Sequence, residues 1–527
     1  MLQKNLPELR RKKGLSQESF AELFGVTRQS VQKWESGDTQ PTIDRLLEIA
    51  DYFRISVDAL LGRQKTDVET LRTSDVPVPK YDTLDTFDDY SAQLANEEYQ
   101  CRDEGRDTSS IRELVPAIER LPNNRFRAEL ADTFYRMTLS LPPVPDYRYT
   151  EPSSYEAIEA LCTHSPGTLK FDRFSLHDRL SGAVIGRICG CLLGKPLEEM
   201  KLRELVPFLR QTGNYPMHRY VLSSDLTDRV CAMFTYPLAE RKPYCADTVT
   251  CAPADDDTNY TVLVSEILRK YGRDFKPAHV AREWLTRQSK FAYCTAERVA
   301  YRNFVNGYVP PSSAEYKNPY REWIGAQIRG DYYGYINPGN PALAAEMAWR
   351  DASISHVKNG IYGEMFVSAM LAAAAVTADR TQILRAGLAQ IPRTSRLHEA
   401  VTSVLEQFES GVSQQAVFEG IHRKYDEYSP HDWCHTIPNA MIVAASLLYG
   451  RGDFGRTICM AVETGFDTDC NGATVGSILG MAYGAGCIPE YWSAPFHDTL
   501  QTSIFGVGTV SISDCAEKTL AHIPALR

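Results

Sequence analysis

Between Leu6 and Gly62 the apolar residues recur at intervals of three and four, the repeat of one helix face. Leu9, Leu15, Phe20, Leu23, Val26, Val31 and Trp34 fall where two crossed helices would bury them. The stop signals agree with that pattern. Ser16 is placed to cap a helix over Gln17–Phe24, Gly25 to end it, and Thr27 to cap a second helix over Arg28–Glu35. The result is a helix-turn-helix with a short turn. Arg28, Gln29, Gln32 and Lys33 are left facing outward, and these are residue types that contact bases and phosphates.

Residues 64–177 change character repeatedly. TSDVPVPKYDTLDTFDDYSAQLANEEY reads as an acidic, proline-interrupted linker leading into a helix, and IRELVPAIERL and RFRAELADTFYRMTLSL keep a helical period. This helical connector carries no legible function. Further on, Met365–Val376 is strongly apolar but well short of the ~20 residues that span a bilayer, so it reads as a buried core helix.

Two later segments carry glycine every fourth residue. SGAVIGRICGCLLGKPLEEM has it at 182, 186, 190 and 194, and GFDTDCNGATVGSILGMAYG at 472, 476, 480 and 484. Glycine inside a helix costs roughly 1 kcal/mol against alanine, so two bare faces need a return, and two helices crossing with backbones almost in contact supply it. The spacing sets Glu198 just beyond the end of one helix and Asp467 and Asp469 at the start of the other. Small-residue packing with capping acids would account for these two segments alone.

CAPADDDTNYTVLVSEILRKYG adds something capping does not explain. Asp255, Asp256 and Asp257 stand together before an amphipathic helix, and one oxygen satisfies a cap while the remaining charges repel unless a cation neutralises them. The three, with Asp467 and Asp469, make five carboxylates and no histidine or thiolate pattern beside them, a hard donor set that favours magnesium, manganese or calcium over zinc. Two neighbouring ions use so many acids best.

Composition narrows the class. A chain of 527 residues exceeds one hydrophobic core, so at least two domains are expected. The net charge of -10 argues against indiscriminate coating of nucleic acid, and residues 1–63, with ten basic and nine acidic side chains, make a near-neutral module whose single copy binds DNA weakly. A homodimer is therefore expected. The N-terminus shows no signal peptide or membrane anchor, and thirteen cysteines without C-x-x-C pairs point to reduced thiols in the cytoplasm.

Residues 6–62, above all LSQESFAELFGVTRQSVQKWESGDTQPTIDRLLEIADYF, resemble the lambda-repressor-like, Xre-type helix-turn-helix family. That resemblance implies that Arg28–Glu35 is the recognition helix, with its N-terminal residues at base edges in the major groove, and that Arg10, Arg11, Lys12 and Lys13 lie near the DNA backbone. GRICGCLLGKPLEE, DDDTNYTVLVSEIL, DASISHVKNGIYGEMF and GFDTDCNGATVGSILGMAYG resemble, in order, the signatures of the ADP-ribosylglycohydrolase family over about Asp178–Arg527. Together the resemblances imply an all-α protein, a small helix-turn-helix bundle (1–63) joined by the connector (64–177) to a large orthogonal helical domain (178–527). They further imply a binuclear magnesium site, manganese being an alternative, held by Asp255, Asp256, Asp257, Asp467 and Asp469. The implied activity is cleavage of the glycosidic bond at the anomeric carbon of ADP-ribose on a protein or a nucleotide-like small molecule. His356 matches a histidine near bound ADP-ribose, while by itself it reads as a satisfied core histidine; the Lys358–Gly360 turn and the NPGNP loop at 337–341 are candidate diphosphate binders, which makes Gly360 a candidate substrate-binding residue.

This chain departs from the family pattern at three positions. Asp255 stands where a hydroxyl is usual, Cys470 where threonine is usual, and Cys191 where an aspartate is usual, leaving Glu198 as the matching acid. A thiol is a poor magnesium ligand, which makes Cys470 a bystander. Glu198, Asp256 or Asp469 is the candidate to take a proton from the attacking water. The competing reading is a transcription regulator whose hydrolase-like domain senses ADP-ribose, NAD or a related nucleotide without turnover. The presence of all five aspartates favours catalysis.

Overall fold

The computed structural model describes residues 2–62, 79–163 and 172–524, and the chain divides into two compact units, Met1–Lys80 and Tyr81–Arg527. The linker expected from Arg63 lies, as far as residue 78, outside the described residues.

The first unit is five helices, Leu2–Lys12, Gln17–Leu23, Arg28–Ser36, Ile43–Phe53 and Val57–Leu60. The caps fall where the sequence sets them. Ser16 accepts from the Ser19 amide at 3.0 Å, Thr27 accepts from the Ser30 amide at 3.2 Å, and Gly37 ends the third helix in the left-handed conformation. Leu6, Phe20, Val31, Trp34, Ile49 and Leu60 form its core. Leu23 does not join them. Phe20 and Phe24, four residues apart, take the inward face, and Leu23 lies about 100° away from Phe24 and is 48% exposed.

Arg10 also departs from expectation. Its guanidinium is buried and forks onto Glu35, at 2.6 and 3.0 Å, while donating to the Leu15 carbonyl at 2.7 Å. It fastens the first helix to the third and is not free for phosphate. Arg11, Lys12 and Lys13 are exposed.

Among its described residues the second unit is helical apart from one antiparallel strand pair, Thr499–Gln501 with Thr509–Ser511. Its axis is the pair of glycine-bearing helices, Arg173–Gly194 and Thr468–Tyr483. They run antiparallel with the bare faces together: a methyl group on Gly182 would meet Gly480 O at 2.5 Å, on Gly186 would meet Gly476 O at 2.2 Å, and on Gly190 would meet Gly472 O at 1.9 Å. Only glycine permits this approach. Ser175–Leu197 has the length and hydropathy to cross a membrane, and here it is the buried centre of the fold. Lys358–Ala374 and Thr436–Tyr449 are buried along nearly their whole length, as the apolar run at 365–376 predicts.

The connector supplies helices Leu94–Asp103, Leu114–Glu119 and Arg125–Thr138 around a small core of Leu94, Ile111, Val115 and Phe134. Its acids face basic side chains far along the chain. Arg321 binds Glu97 at 2.9 Å and Glu104 at 2.6 Å, Lys358 binds Glu104 at 2.8 Å, and Lys290 binds Asp88 at 2.7 Å.

Candidate active site

The antiparallel crossing brings two helix ends together. Where Arg173–Gly194 ends, a methyl on Gly194 would lie 2.3 Å from the Asp469 amide nitrogen, and the Thr468 hydroxyl donates to the Gly194 carbonyl at 3.0 Å. Lys195, Glu198, Asp467 and Asp469 thereby reach one place. The third contributor is the helix Asp256–Tyr271, whose N-cap Asp255 accepts from the Asp257 amide at 2.9 Å.

Donor atoms of Asp257, Asp469 and Cys470 all lie within 4.8 Å of one another, and so do those of Cys191, Asp255 and Asp257. Asp257 belongs to both groups and joins them. Asp255, Asp256, Asp467, Asp469, Glu198 and Cys470 line one cavity of about 670 Å³, a volume ordinary for a small-molecule site. All five predicted metal-binding aspartates and all three predicted catalytic acids are thus in one cluster.

Two cations bond to these acids. Arg187, fully buried, donates to Asp257 Oδ1 at 2.9 Å and shares its charge with Asp331, also at 2.9 Å. Lys195 Nζ bonds to Asp255 Oδ2. Six carboxylates against two cations leave at least four negative charges when all are ionised, the charge that two divalent ions carry. Asp257 Oδ2 and Asp467 Oδ1 are buried without a hydrogen-bond partner. Buried carboxylate oxygens left open in this way fit an ion-binding role.

The electrostatics follow from that imbalance. Burial, then the Asp467 charge, pushes Glu198 up to about 7. Burial and the neighbouring acids push Asp256 and Asp469 well above the ordinary carboxylate range. Burial acts in the same direction on Asp255, but the Lys195 ammonium outweighs it and holds that carboxyl below its usual value.

Cys470 and Cys191 are closer to the ligand set than bystanders would be, since each has its sulfur within 4.8 Å of two aspartate oxygens. Cys434 Sγ donates to Asp467 Oδ2 at 3.3 Å. Lys195, Arg187 and Cys434 were not among the residues singled out from sequence. Lys195 had a signal, being the first residue beyond the glycine helix.

His356 and Gly360 are not among the residues lining this cavity. His356 is buried, its Nδ1 paired with the Ser355 hydroxyl at 2.8 Å, and burial drives its pKa well below the usual value. Gly360 packs against the Arg321 carbonyl and the His356 ring. The amides at the start of Lys358–Ala374 are already used: Lys358 N donates to Ser153 Oγ at 3.1 Å and Asn359 N to Glu322 Oε1 at 3.1 Å. An anion is present there in the form of Glu322. In the NPGNP loop Asn340 caps the helix that follows, and Gly339 N donates to the Ala372 carbonyl.

A separate cluster of Asp103, His431 and His435 has ligand atoms within 4.8 Å of one another. Trp323 Nε1 donates to His431 Nδ1 at 3.3 Å and the Ile437 amide to His435 Nδ1 at 3.2 Å, so in both rings the proton sits on Nε2, which faces Asp103.

The ADP-ribosylglycohydrolase family profile matches residues 173–521, from the first glycine helix to the last helix of the unit. The chain belongs to the ADP-ribosylglycohydrolase family. To this family domain it adds a helix-turn-helix, whose profile matches residues 8–60. There the chain is similar to the HTH-type transcriptional regulator AnsR of Bacillus subtilis (40% identity over 60 residues, 11% of this chain and 52% of that protein). It is also similar to the HTH-type transcriptional activator BcrR of Enterococcus faecalis (38% over 60 residues, 11% and 29%). The match therefore spans about half or less of these regulators. A solved ADP-ribosylglycohydrolase-related protein complex is similar at 20% identity and a TM-score of 0.39, over 66% of this chain and 98% of that one.

Proposed function

We propose that the protein is a metal-dependent hydrolase that cleaves the glycosidic bond of ADP-ribose attached to a protein or small molecule, fused to a sequence-specific DNA-binding module. The observation that carries this reading is the clustering of five aspartates and Glu198, all but Asp257 lining one cavity, with Lys195 and Arg187 the cations bonded to them. Asp255, Asp256, Asp257, Asp467 and Asp469 would hold two magnesium or manganese ions. When bound, such ions supply Lewis acidity toward ribose hydroxyls and water.

The chain's own residues supply the rest. Glu198 lines the cavity with a pKa near 7, suited to take the proton of the attacking water; Asp256 and Asp469 are the other acids in reach of that role. Water's oxygen bonds to the anomeric carbon as the bond to the leaving group breaks, and the leaving group departs with the electron pair and gains a proton. Arg187 and the glycine crossing keep Asp257 and Asp469 in register.

In the first unit Arg28, Gln29, Gln32 and Lys33 are all exposed on the third helix, ready for base edges and phosphates. Leu23, Ile43, Leu47 and Tyr52 are exposed apolar side chains on the same unit and suit contact with a second copy.

One observation favours the sensor reading. Lys195 fixed on Asp255 replaces part of the charge an ion would bring. The deciding measurement is magnesium- or manganese-dependent release of ADP-ribose from arginine, serine and nucleobase conjugates. Release by wild type and loss in Asp467→Asn/Asp469→Asn establishes the hydrolase. Metal-dependent ADP-ribose binding without release transfers the reading to the sensor.

A further inference from the structure

The cavity is not built by the family domain alone. The family match begins at residue 173, yet Thr86, Phe87, Gln93 and Asn96, from the connector, line the same cavity as the aspartates. Their position is held by charge. Asp88 receives Lys290 at 2.7 Å and Arg298 at 3.2 Å, its carbonyl accepts from Arg302 at 3.2 Å, and Asp85 pairs with Arg298 at 3.3 Å. Arg298 is almost fully buried, so this clamp is shielded from water.

The clamp presents Phe87 to a line of aromatic rings. Phe87 meets Tyr320 edge-on at 5.8 Å, Tyr320 meets Trp323 at 4.7 Å, and Trp323 meets Trp433 at 5.9 Å. The line ends beside the metal-binding acids, since Cys434, next to Trp433, donates to Asp467. Beside Phe87 the connector sets two amides. Asn96 Nδ2 donates to Gln93 Oε1 at 2.9 Å and Gln93 Nε2 to the Thr86 carbonyl at 3.3 Å, which orients both. Asn96 Oδ1 is left without a partner on a side chain only 7% exposed. Phe87 and Trp433, the half-buried rings at the two ends of the line, together with the Gln93 and Asn96 side chains on the cavity wall, suit a planar heteroaromatic group, which stacks on a ring and meets amides at its edge.

We infer that the connector forms a leaving-group subsite, and that the substrate class is ADP-ribose linked to a nucleobase or similar heteroaromatic ring rather than to a protein side chain. The inference rests on the hydrolase reading for its chemistry, and the wall's contiguity with Asp467 sets it at the scissile bond. There the ring leaves with the electron pair of the broken bond.

The test uses the full chain with manganese. Base-, arginine- and serine-linked ADP-ribose are compared as substrates for wild type, Phe87→Ala, Phe87→Tyr and Asn96→Ala, with ADP-ribose affinity measured alongside. Phe87→Ala is expected to raise KM for the base-linked substrate about tenfold, the scale of one lost stacking contact. Phe87→Tyr restores it, and the other substrates and ADP-ribose affinity stay unchanged. Equal effects on all substrates, no effect, or weakened ADP-ribose binding would overturn the assignment. If wild type releases nothing, the hydrolase reading falls, and calorimetry decides the subsite. A base-linked conjugate bound more tightly than ADP-ribose, by a margin lost in Phe87→Ala, supports it; equal binding of the two overturns it.

Discussion

Single residues set the charge of the site, and Lys195 is the one whose effect is easiest to isolate. Its ammonium occupies one oxygen of Asp255, so an arriving divalent ion meets a like charge among its own ligands. At about 4 Å and an effective dielectric near 20, the repulsion between a unit charge and a divalent ion is on the order of 8 kcal/mol before solvent screening and movement of the ammonium reduce it. Lys195→Met is therefore expected to tighten manganese binding about tenfold in calorimetry. Weaker binding instead would mean that Lys195 orients Asp255 for the ion. The proposed function makes Glu198 the base and the five aspartates the ligands, so Glu198→Gln is expected to leave metal affinity within about twofold and lower kcat by about 10²–10⁴. A large loss of metal affinity would make Glu198 a ligand. The five aspartates were legible because they sit in two short runs next to helix starts, where local charge crowding is visible. His356 reads from its own residue type as a satisfied core histidine, as found, and only the family resemblance drew it toward ADP-ribose; Gly360 was not legible as a core residue, because what occupies the amides of its helix is Glu322, a residue brought there only by the fold.

At the scale of elements, the glycine faces were legible as partners because spacing of four residues is a property of one helix and needs only a matching face elsewhere. A methyl at Gly190 would lie 1.9 Å from a backbone oxygen that has no rotamer to yield. Gly190→Ala is expected to destabilise the second unit by about 2–4 kcal/mol and to weaken metal binding as the helix ends part. Gly420, within Gln414–Lys424 and with no atom within 4 Å of an added methyl, is the control. There alanine is expected to stabilise by about 0.5–1 kcal/mol, both values read from urea unfolding. The connector was not legible, since its acids read as solvated and their partners lie some 200 residues onward. Asp103 shows the consequence. Burial raises its carboxyl, but His431, Arg396 and His435 together hold it lower, at about 2. The folded value lies below the unfolded one, so this contribution is full above about pH 4 and is lost as pH falls toward 2. The side chain is 35% exposed, which screens the contribution to about 1 kcal/mol. Asp103→Asn is expected to cost that much at pH 7, with the gap to wild type closing as pH falls from about 4 toward 2; a gap independent of pH would mean the loss is one of packing.

At the scale of the whole molecule, two units with separate cores answer to two different ligands. The helix-turn-helix closes its own core around Phe20, Val31 and Trp34, and the Arg10–Glu35 fork lies entirely within it. The second unit closes around the glycine helices, and every acid proposed to hold metal lies within it. A ligand stabilises only what it binds in the folded state, by about 2.7 kcal/mol at a hundredfold excess over Kd. Calorimetry of the full chain is therefore expected to show two transitions. Manganese raises the larger one by a few °C, and DNA carrying a cognate site raises the smaller one. Arg28→Ala and Gln32→Ala abolish the DNA shift without touching the manganese shift, and Asp469→Asn does the reverse. If instead one transition moves with both ligands, the units unfold together and share free energy. That outcome would make occupancy of the carboxylate site felt at the DNA-reading helix, and the size of the cross-shift would measure the coupling directly.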